Sequence, residues 1–328
     1  MMKKQSYRLI EPFLLMAFSL LLITACYQPV IQKTHISLKP SVDCRIIQHE
    51  FGETCVPLKP QRIITLSPDI TLAPLIAFGI KPIGFTSYYI PGKGKESLYG
   101  VSFDQVKGAK NVGNVYQPSL EKILLLKPDL ILYCCDAHLH QSLSAIAPTV
   151  AVPALYNTPD HKAYFKENLR YVAKLLGQET KAEEVLSQYQ KRIEQLKKRL
   201  GSQLQQIEIS VIFYNNDGFW TISNKNRDLV PAILNDIGLR YKFLPHGGSR
   251  YVKLSIENIG EYDADILFIV DVGERTSSFY FQNPMFSSLK AIKNNRAYVV
   301  SQEKWDSNGI AEANRVLDDL FKYLPEGG

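Results

Sequence analysis

Short apolar runs alternate with longer amphipathic segments along most of this chain. Alternation of this kind is typical of α/β folds, in which apolar runs form buried strands and the amphipathic segments form covering helices. The predicted strands fall into two series separated by a helical stretch. They are 63–66, 82–85, 130–133 and 149–152 in the first series, and 209–213, 266–270 and 297–300 in the second. The pattern predicts two α/β lobes, over residues 59–158 and 202–328.

A helical stretch connects the two series. From residue 160 to 200 the chain has no proline, and its one glycine is Gly177. Apolar positions recur there at three- and four-residue spacing, which predicts a single long connecting helix over 159–201 that could kink at Gly177. Such a helix would act as a stiff strut, so we expect limited closure of the lobes on ligand binding.

Each lobe contains a copy of one sequence unit. Residues 119–123 resemble 255–259 at an offset of 136 positions, and 129–132 match 265–268 at the same offset. The unit predicts a serine cap, a short helix with its isoleucine facing the sheet, and an aspartate turn that leads into a buried strand. Glu121 and Glu257 then face solvent at matching places. They could form a symmetric docking surface, or merely be favourable charges at helix N-termini.

The beginning of the chain has the features of a secretory signal peptide. Three basic residues precede an apolar run over 13–23, which is about half the length that a membrane-spanning helix needs. Thr24 and Ala25 directly precede Cys26, and residues 22–26 resemble the bacterial lipobox. That resemblance implies cleavage after residue 25 and acylation of Cys26; the alternative is a chance cysteine beside a soluble signal peptide. Residues 26–58 are predicted to be a tether.

Charge and cysteine content narrow the function classes. Removal of residues 1–25 lowers the formal charge from +6 to +4, and so mild a surplus argues against a nucleic-acid partner. Four cysteines remain, which allow three pairings. We favour a bridge between Cys44 and Cys55, which would close a short polar loop and contribute about 2 to 3 kcal/mol. Cys134 and Cys135 could be buried thiols or an adjacent disulfide.

Candidate ligand contacts follow from fold class, because ligands of open α/β sheets bind beyond the carboxyl ends of the strands. Aromatic and arginine side chains dominate the segments that follow the predicted strands or occupy equivalent positions. The candidates are Tyr88, Tyr116, Gln117, Trp220, Arg250, Tyr251, Arg275 and Trp305. Arginine suits carboxylate or hydroxamate oxygens, and aromatic rings suit the flat hydrocarbon parts of a chelate.

These features together resemble the metal-chelate branch of the substrate-binding proteins of bacterial ABC importers, which bind ferric siderophores, haem or cobalamin. The resemblance rests on 62–69 with Phe78 and Gly79, 112–114, 118–123, 127–132, the second copy of the repeat, 305–309 and 315–320. It implies two Rossmann-like lobes joined by one long helix, a ligand cleft between them and little domain motion. It also implies that Glu121 and Glu257 pair with arginines of a membrane permease, which works with an ATPase.

We therefore expect a monomeric, lipid-anchored protein of the cell envelope that captures a ferric siderophore of the hydroxamate or hydroxycarboxylate type. The iron would arrive already chelated, so no cofactor of the protein itself is expected. Haem or cobalamin is the alternative within the same class. Direct binding of a transition metal or haem by Cys134, Cys135 and His138 or His140 is a further alternative. A secreted hydrolase is disfavoured, because the sequence has no nucleophile elbow, zinc-protease pair or phosphate-binding glycine loop.

Overall fold

The computed structural model describes residues 43–90, 94–153, 164–215, 218–222, 228–243, 251–271 and 275–326. The signal peptide, Cys26 and Arg250 lie outside these residues, as does the side chain of Tyr251. Within the described ranges, no helix combines the length and the apolar character required to cross a membrane.

The described chain begins with a hairpin where the sequence predicted a polar loop. Strands β1 (Cys44–His49) and β2 (Gly52–Pro57) pair antiparallel. Ile47 and Val56 are buried in the main hydrophobic core, so the hairpin is packed on the body rather than being part of a tether. The structure joins Cys44 to Cys55 through their sulfurs, with Cα atoms 5.4 Å apart, in the usual range for a disulfide.

The first lobe is built on a mainly parallel sheet. Its strands are β3 (Ile63–Thr65), β4 (Gly84–Ile90), β5 (Lys95–Ser97), β6 (Lys110–Asn114), β7 (Gln117–Pro118), β8 (Leu130–Tyr133) and β9 (Thr149–Ala151). Their order is β7-β6-β4-β3-β8-β9, with β5 paired to β4. Strands β5 and β7 run antiparallel to their neighbours. Its helices are a π-helical turn (Pro68–Leu72), α1 (Ala73–Ala77), α2 (Leu120–Leu125) and α3 (Ala137–Ser144).

Two helices occupy the region for which the sequence predicted one long helix. Helix α4 covers Tyr164–Leu176 and α5 covers Glu179–Leu200. The break falls at Gly177, whose φ of +64° is a left-handed conformation that ends helices and that glycine adopts without a steric penalty. Arg45 of the hairpin donates to the carbonyl of Leu175 at 2.8 Å, which satisfies one of the last carbonyls of α4.

The second lobe has its own sheet. A 3₁₀ turn (Gly201–Gln205) leads into β10 (Glu208–Asn215), β11 (Gly218–Ile222), α6 (Leu229–Ile237), β12 (Arg240–Tyr241), β13 (Tyr251–Leu254), a second 3₁₀ turn (Ile256–Tyr262), β14 (Ile266–Asp271), α7 (Ser277–Phe281), α8 (Pro284–Ser287), α9 (Lys290–Lys293), β15 (Ala297–Ser301), α10 (Gln302–Trp305) and α11 (Ile310–Tyr323). Strand order is β13-β11-β10-β14-β15, and β12 also pairs with β10. The pairs of β10 with β14 and of β14 with β15 are parallel.

The C-terminal helix α11 belongs to both lobes. It packs on α1 of the first lobe and on α6 of the second, as well as on α4 and α5. One core cluster accordingly includes residues of both sheets, such as Leu132 of β8 and Phe268 of β14. The two sheets are therefore joined through shared packing as well as by the chain connection.

Candidate functional site

Three tyrosines lie together at the carboxyl ends of the first-lobe strands. The ring centroid of Tyr88 is 4.7 Å from that of Tyr99 and 6.3 Å from that of Tyr116. Tyr88 and Tyr116 were predicted as ligand contacts, and the structure places them side by side. Tyr116 is 79% exposed and Tyr88 is partly buried, so the cluster presents aromatic surface to solvent.

A buried carboxylate is hydrogen-bonded to this tyrosine cluster. Asp69, in the π-helical turn after β3, accepts hydrogen bonds from the Tyr88 hydroxyl at 3.3 Å and the Ser67 hydroxyl at 3.1 Å. Burial raises the pKa of Asp69, and these two hydrogen bonds oppose the rise. The hydrogen bond to Asp69 fixes the position of the Tyr88 ring.

A second buried carboxyl group joins the lobes beside Asp69. Glu312, at the start of α11, accepts the backbone N–H of Gly100 at 2.7 Å and the Ser307 hydroxyl at 3.1 Å. Its other oxygen has no hydrogen-bond partner among the described residues. Burial, and then the nearby charge of Asp69, raise the pKa of Glu312 to about 7. A neutral Glu312 removes a negative charge from the junction of the lobes.

Tyr99 shows that the tyrosine cluster lies against the second lobe. Burial raises the pKa of its hydroxyl, and the charges of Asp306, Asp69 and Glu303 add to the rise. Glu303 lies in α10 and Asp306 directly follows that helix, so both belong to the second lobe. An ion pair between Lys95 and Glu303, 3.3 Å long, crosses the same junction. The first-lobe cluster therefore lies where the two lobes meet.

The second lobe presents an arginine on aromatic rings at the ends of its central strands. The guanidinium carbon of Arg275 lies 4.7 Å from the ring centroid of Tyr214, which is in β10, and 5.2 Å from that of Phe279. Arg275 also pairs with Asp271, the last residue of β14, at 3.0 Å. A guanidinium has five N–H donors in a planar fork, a geometry that suits carboxylate oxygens such as those of Asp271.

The two tryptophans predicted as ligand contacts differ in burial. Trp305 is 1% exposed, its indole N–H donates to Asp319 at 2.9 Å, and its ring lies 4.6 Å from that of Phe268. It is a core residue, so its prediction as a ligand contact is corrected. Trp220 is partly buried and stacks on Phe213 with centroids 4.1 Å apart.

The remaining candidates of the first lobe have different surroundings. Gln117 is exposed in the short strand β7, opposite Asn114. Cys134 and Cys135 are bonded to each other in the structure, and His138 is exposed. Disulfide sulfurs are not thiolate ligands, so the metal alternative would require their reduction. No cluster of three or more metal-binding side chains occurs in the part of the chain that the structure describes.

The predicted serine cap and buried isoleucine occur in both copies of the repeated unit, but the helix is an α-helix in the first copy and a 3₁₀ turn in the second. The Ser119 hydroxyl accepts the N–H of Lys122 at 3.3 Å, and the Ser255 hydroxyl accepts that of Asn258 at the same distance. The isoleucines at both fifth positions are buried, and Glu121 and Glu257 are exposed. The turn aspartates accept backbone N–H groups at the start of the neighbouring strand in each lobe. The carboxylates of Glu121 and Glu257 thus lie in the capped first turns of the two units.

Two residues of the junction were missed by sequence reasoning. Tyr99 lies in a segment without a periodic pattern, and its left-handed φ of +51° has no signal in the sequence. Glu312 occupies a position on an amphipathic helix where a charged residue is normally exposed. The glycines at positions 100 and 309 could have indicated that a side chain packs against the backbone there. A Cβ at either position would lie within 2.4 Å of the Glu312 carboxyl group.

The family model described as periplasmic binding protein matches residues 91–303. The chain belongs to the periplasmic binding protein family. Members of this family are binding proteins rather than enzymes.

Relatives of this member of the family cover nearly its whole length. The probable siderophore-binding lipoprotein YfiY of Bacillus subtilis is 30% identical over 302 residues, which span 85% of this chain and 87% of that protein. The Fe(3+)-citrate-binding protein YfmC of the same bacterium is 27% identical over 329 residues, spanning 98% and 99%. The crystal structure of Staphylococcus aureus SirA complexed with staphyloferrin B is 26% identical, with a TM-score of 0.67, and the match covers 85% of this chain and 98% of SirA.

Proposed function

We propose that this protein is the substrate-binding lipoprotein of an ABC importer and captures a ferric siderophore of the hydroxamate or hydroxycarboxylate type. The observation that carries the proposal is the Arg275 cluster, a guanidinium set on Tyr214 and Phe279 at the strand ends of the second lobe. Oxygens at the periphery of an anionic chelate match the N–H fork of arginine, and aromatic rings match its hydrocarbon parts. The relatives named above, a probable siderophore-binding lipoprotein, an Fe(3+)-citrate-binding protein and SirA with staphyloferrin B, support this choice over haem or cobalamin.

The ligand would lie between the two clusters, against the tyrosines of one lobe and Arg275 of the other. The pKa of Glu312, raised to about 7, favours this arrangement, because a protonated carboxyl group does not repel an anionic chelate. Arg250 and Tyr251 remain further candidates from the sequence. The chelate would bring its own iron, so the protein needs no cofactor.

Delivery to the membrane is the second part of the proposal. An acyl chain on Cys26 would hold the protein at the membrane of the cell envelope, and Glu121 and Glu257 would pair with basic residues of the permease, whose ATPase drives import. Exposed charge pairs of this type mainly set orientation and the rate of encounter. The names of two relatives, which describe lipoproteins, support the anchor.

A titration tests ligand capture. Residues 27–328, produced without the anchor and stripped of ligand, are titrated with ferric citrate, a ferric hydroxamate, haem, cobalamin and zinc while tryptophan fluorescence is followed. We expect saturable quenching by a ferric chelate with a Kd below about 1 μM. The iron-free chelators are the control. Binding of haem, cobalamin or zinc alone would overturn the proposed ligand class.

A further inference from the structure

The two repeated units share a serine cap and a buried isoleucine but differ in surface chemistry. At the exposed positions of α2 and its first-lobe surroundings stand Glu121, Lys122, Leu124 and Leu125. The corresponding exposed positions of the second unit, 136 residues later, are Glu257, Asn258, Gly260 and Glu261. The first unit therefore adds two leucines to its glutamate, and the second adds another carboxylate.

The leucines belong to the same surface as the glutamate. Residues three and four positions apart on a helix are neighbours, so Leu124 and Leu125 flank Glu121. Leu124 is 58% exposed and Leu125 is 72% exposed, while Ile123 directly before them is fully buried in the first-lobe core. Of the four apolar residues of the short helix, one is buried in the fold, two lie exposed beside the carboxylate that faces solvent, and Leu120 at the helix start is 36% exposed.

In the second unit the equivalent surface is acidic. Glu257 and Glu261 are both exposed on a 3₁₀ turn, in which residues three positions apart eclipse, so these two carboxylates, four positions apart, point in different directions from the same short segment. Asp263 nearby is already engaged, because its carboxylate accepts the backbone N–H of Lys290 at 2.6 Å. The second unit therefore presents two exposed carboxylates and no exposed large apolar side chain at the repeated positions.

From this asymmetry we infer that the lobes dock on the permease in one fixed orientation, with Leu124 and Leu125 buried against an apolar surface of the permease half that receives the first lobe. This inference rests on the proposed function, because it takes the permease as the partner of Glu121 and Glu257. Charge complementarity supports that occupant: a basic group that pairs with Glu121 brings its surroundings into contact with the two leucines. The half that receives the second lobe must instead supply at least two basic groups, for Glu257 and Glu261.

The orientation follows from incompatible alternatives. With the lobes exchanged, the leucines would face a basic, hydrated surface, and Glu261 would face an apolar surface without a partner. Burying an unpaired charge is strongly unfavourable, so the reversed complex is disfavoured even though both units begin with the same serine cap. Specificity of this kind comes from a mismatch in the wrong complex as much as from contacts in the right one.

The test replaces the first surface by the second. Cells carrying Leu124→Ser with Leu125→Glu are compared with the wild type for uptake of radioactive iron from ferric citrate and from a ferric hydroxamate. Met285→Ser, which removes a 40% exposed apolar side chain elsewhere on the second lobe, is the matched control. Each purified variant is also titrated with the same chelates and its Tm is measured.

We expect uptake to fall by about tenfold or more in the leucine variant, since the complex with the permease would lose the burial of two leucine side chains. Chelate affinity and Tm should be the same as in the wild type and the control. Uptake equal to the wild type at unchanged chelate affinity would overturn the inference. Failure of the wild-type protein to bind or import any ferric chelate would instead overturn the proposed function.

A membrane contact is the other occupant that the experiment distinguishes. The anchor-free chain is sedimented with vesicles of neutral phospholipid and with vesicles containing anionic phospholipid. We expect no sedimentation that depends on Leu124 and Leu125. Leucine-dependent sedimentation would assign the surface to lipid and overturn its assignment to the permease.

Discussion

The two lobes of this protein carry different chemistry at equivalent ends of their sheets. The first lobe offers three tyrosines supported by the buried Asp69, whereas the second offers Arg275 set on two rings and paired with the buried Asp271. In both lobes a buried carboxylate contacts a side chain that the sequence predicted as a ligand contact. The difference implies a division of roles, with aromatic contact area from one lobe and a directed positive charge from the other.

The largest expected effect concerns Glu312, where the lobes are joined. The folded protein keeps this proton up to a pKa of about 7, whereas the unfolded chain loses it near 4.5, so the free energy of unfolding falls as pH rises between these values. The shift corresponds to about 3 kcal/mol. Glu312→Gln, which cannot ionise, should match the wild type near pH 4.5 and exceed its stability at pH 8 by up to that amount.

Urea unfolding at pH 4.5, 6 and 8 measures this difference, with Glu303→Gln as a control at a more exposed carboxylate of the same junction. A smaller slope in the same direction should persist in Glu312→Gln, because the pKa of Asp69 is raised as well. Equal pH slopes for wild type and variant would show that Glu312 is ionised in the folded protein.

The second prediction concerns the contribution of Arg275 to chelate binding. Arg275→Ala should weaken binding of ferric citrate by about ten- to a hundredfold, as expected for loss of a hydrogen-bonded charge contact. Arg275→Lys should recover only part of the affinity, because an ammonium group lacks the planar fork.

Fluorescence titration provides the affinities, and Arg296→Ala is the control, since Arg296 is exposed on the same lobe. Removal of Arg275 also deprives Asp271 of an ion-pair partner, so Tm is measured for each variant. An Arg275→Ala protein that keeps its Tm and binds within twofold of the wild type would assign the ligand to other groups.

The third prediction concerns the link between the lobes. Gly177→Ala should destabilise the protein by about 1 to 2 kcal/mol, the cost of a left-handed backbone in a residue with a Cβ. The new methyl group would also lie 2.9 Å from Nη2 of Arg45. Gly238→Ala is the matched control, because Gly238 also ends a helix in the left-handed region, with φ of +85°, and its added Cβ would meet only Leu204 at 3.9 Å, an ordinary contact.

Thermal unfolding compares the two glycine variants, and the excess loss in Gly177→Ala measures the contact with Arg45. Chelate affinity should stay at the wild-type value in both. If the Gly177 variant were as stable as the wild type, the break between α4 and α5 would not depend on glycine.

The smallest expected effect tests the first-lobe cluster. Tyr116→Ala should weaken chelate binding by about two- to tenfold, in the range of a single aromatic contact and below the effect of Arg275→Ala. Tyr89→Ala is the control, because Tyr89 is 56% exposed but follows Tyr88 in β4 and so points to the opposite face. A larger loss for Tyr116 than for Arg275 would reverse the division of roles between the lobes.

The central strands could be predicted from sequence because they are buried on both faces and therefore consist of apolar runs, as in Leu130–Tyr133 and the first five residues of Ile266–Asp271. Edge strands such as Lys95–Ser97 and Arg240–Tyr241 were not predicted, since they are short and their residues are mostly polar. The hairpin was missed for the same reason. Its two buried residues, Ile47 and Val56, become apolar contacts only when the body supplies the surface that covers them.

The candidate site was predictable where it follows from strand ends and not where it depends on packing between distant segments. Arg275 and Tyr116 could be named as candidates because they follow strands, and Tyr88 because it lies in the second half of β4. The burial of Trp305 depends on α11 and the second sheet, and that of Glu312 depends on a contact with Gly100, 212 positions away. Neither partner is indicated by the local pattern around these residues.

The position of the N-terminal hairpin has a consequence for self-association. Strand β9 lies at the end of the first sheet, and an uncovered edge strand offers N–H and C=O groups that can recruit a strand from another molecule. The hairpin contacts this strand, and the hydroxyl of Thr54 donates to the carbonyl of Thr149 at 2.8 Å. The segment nearest the predicted anchor thereby shields an aggregation-prone edge, which matters most for proteins held close together on one membrane.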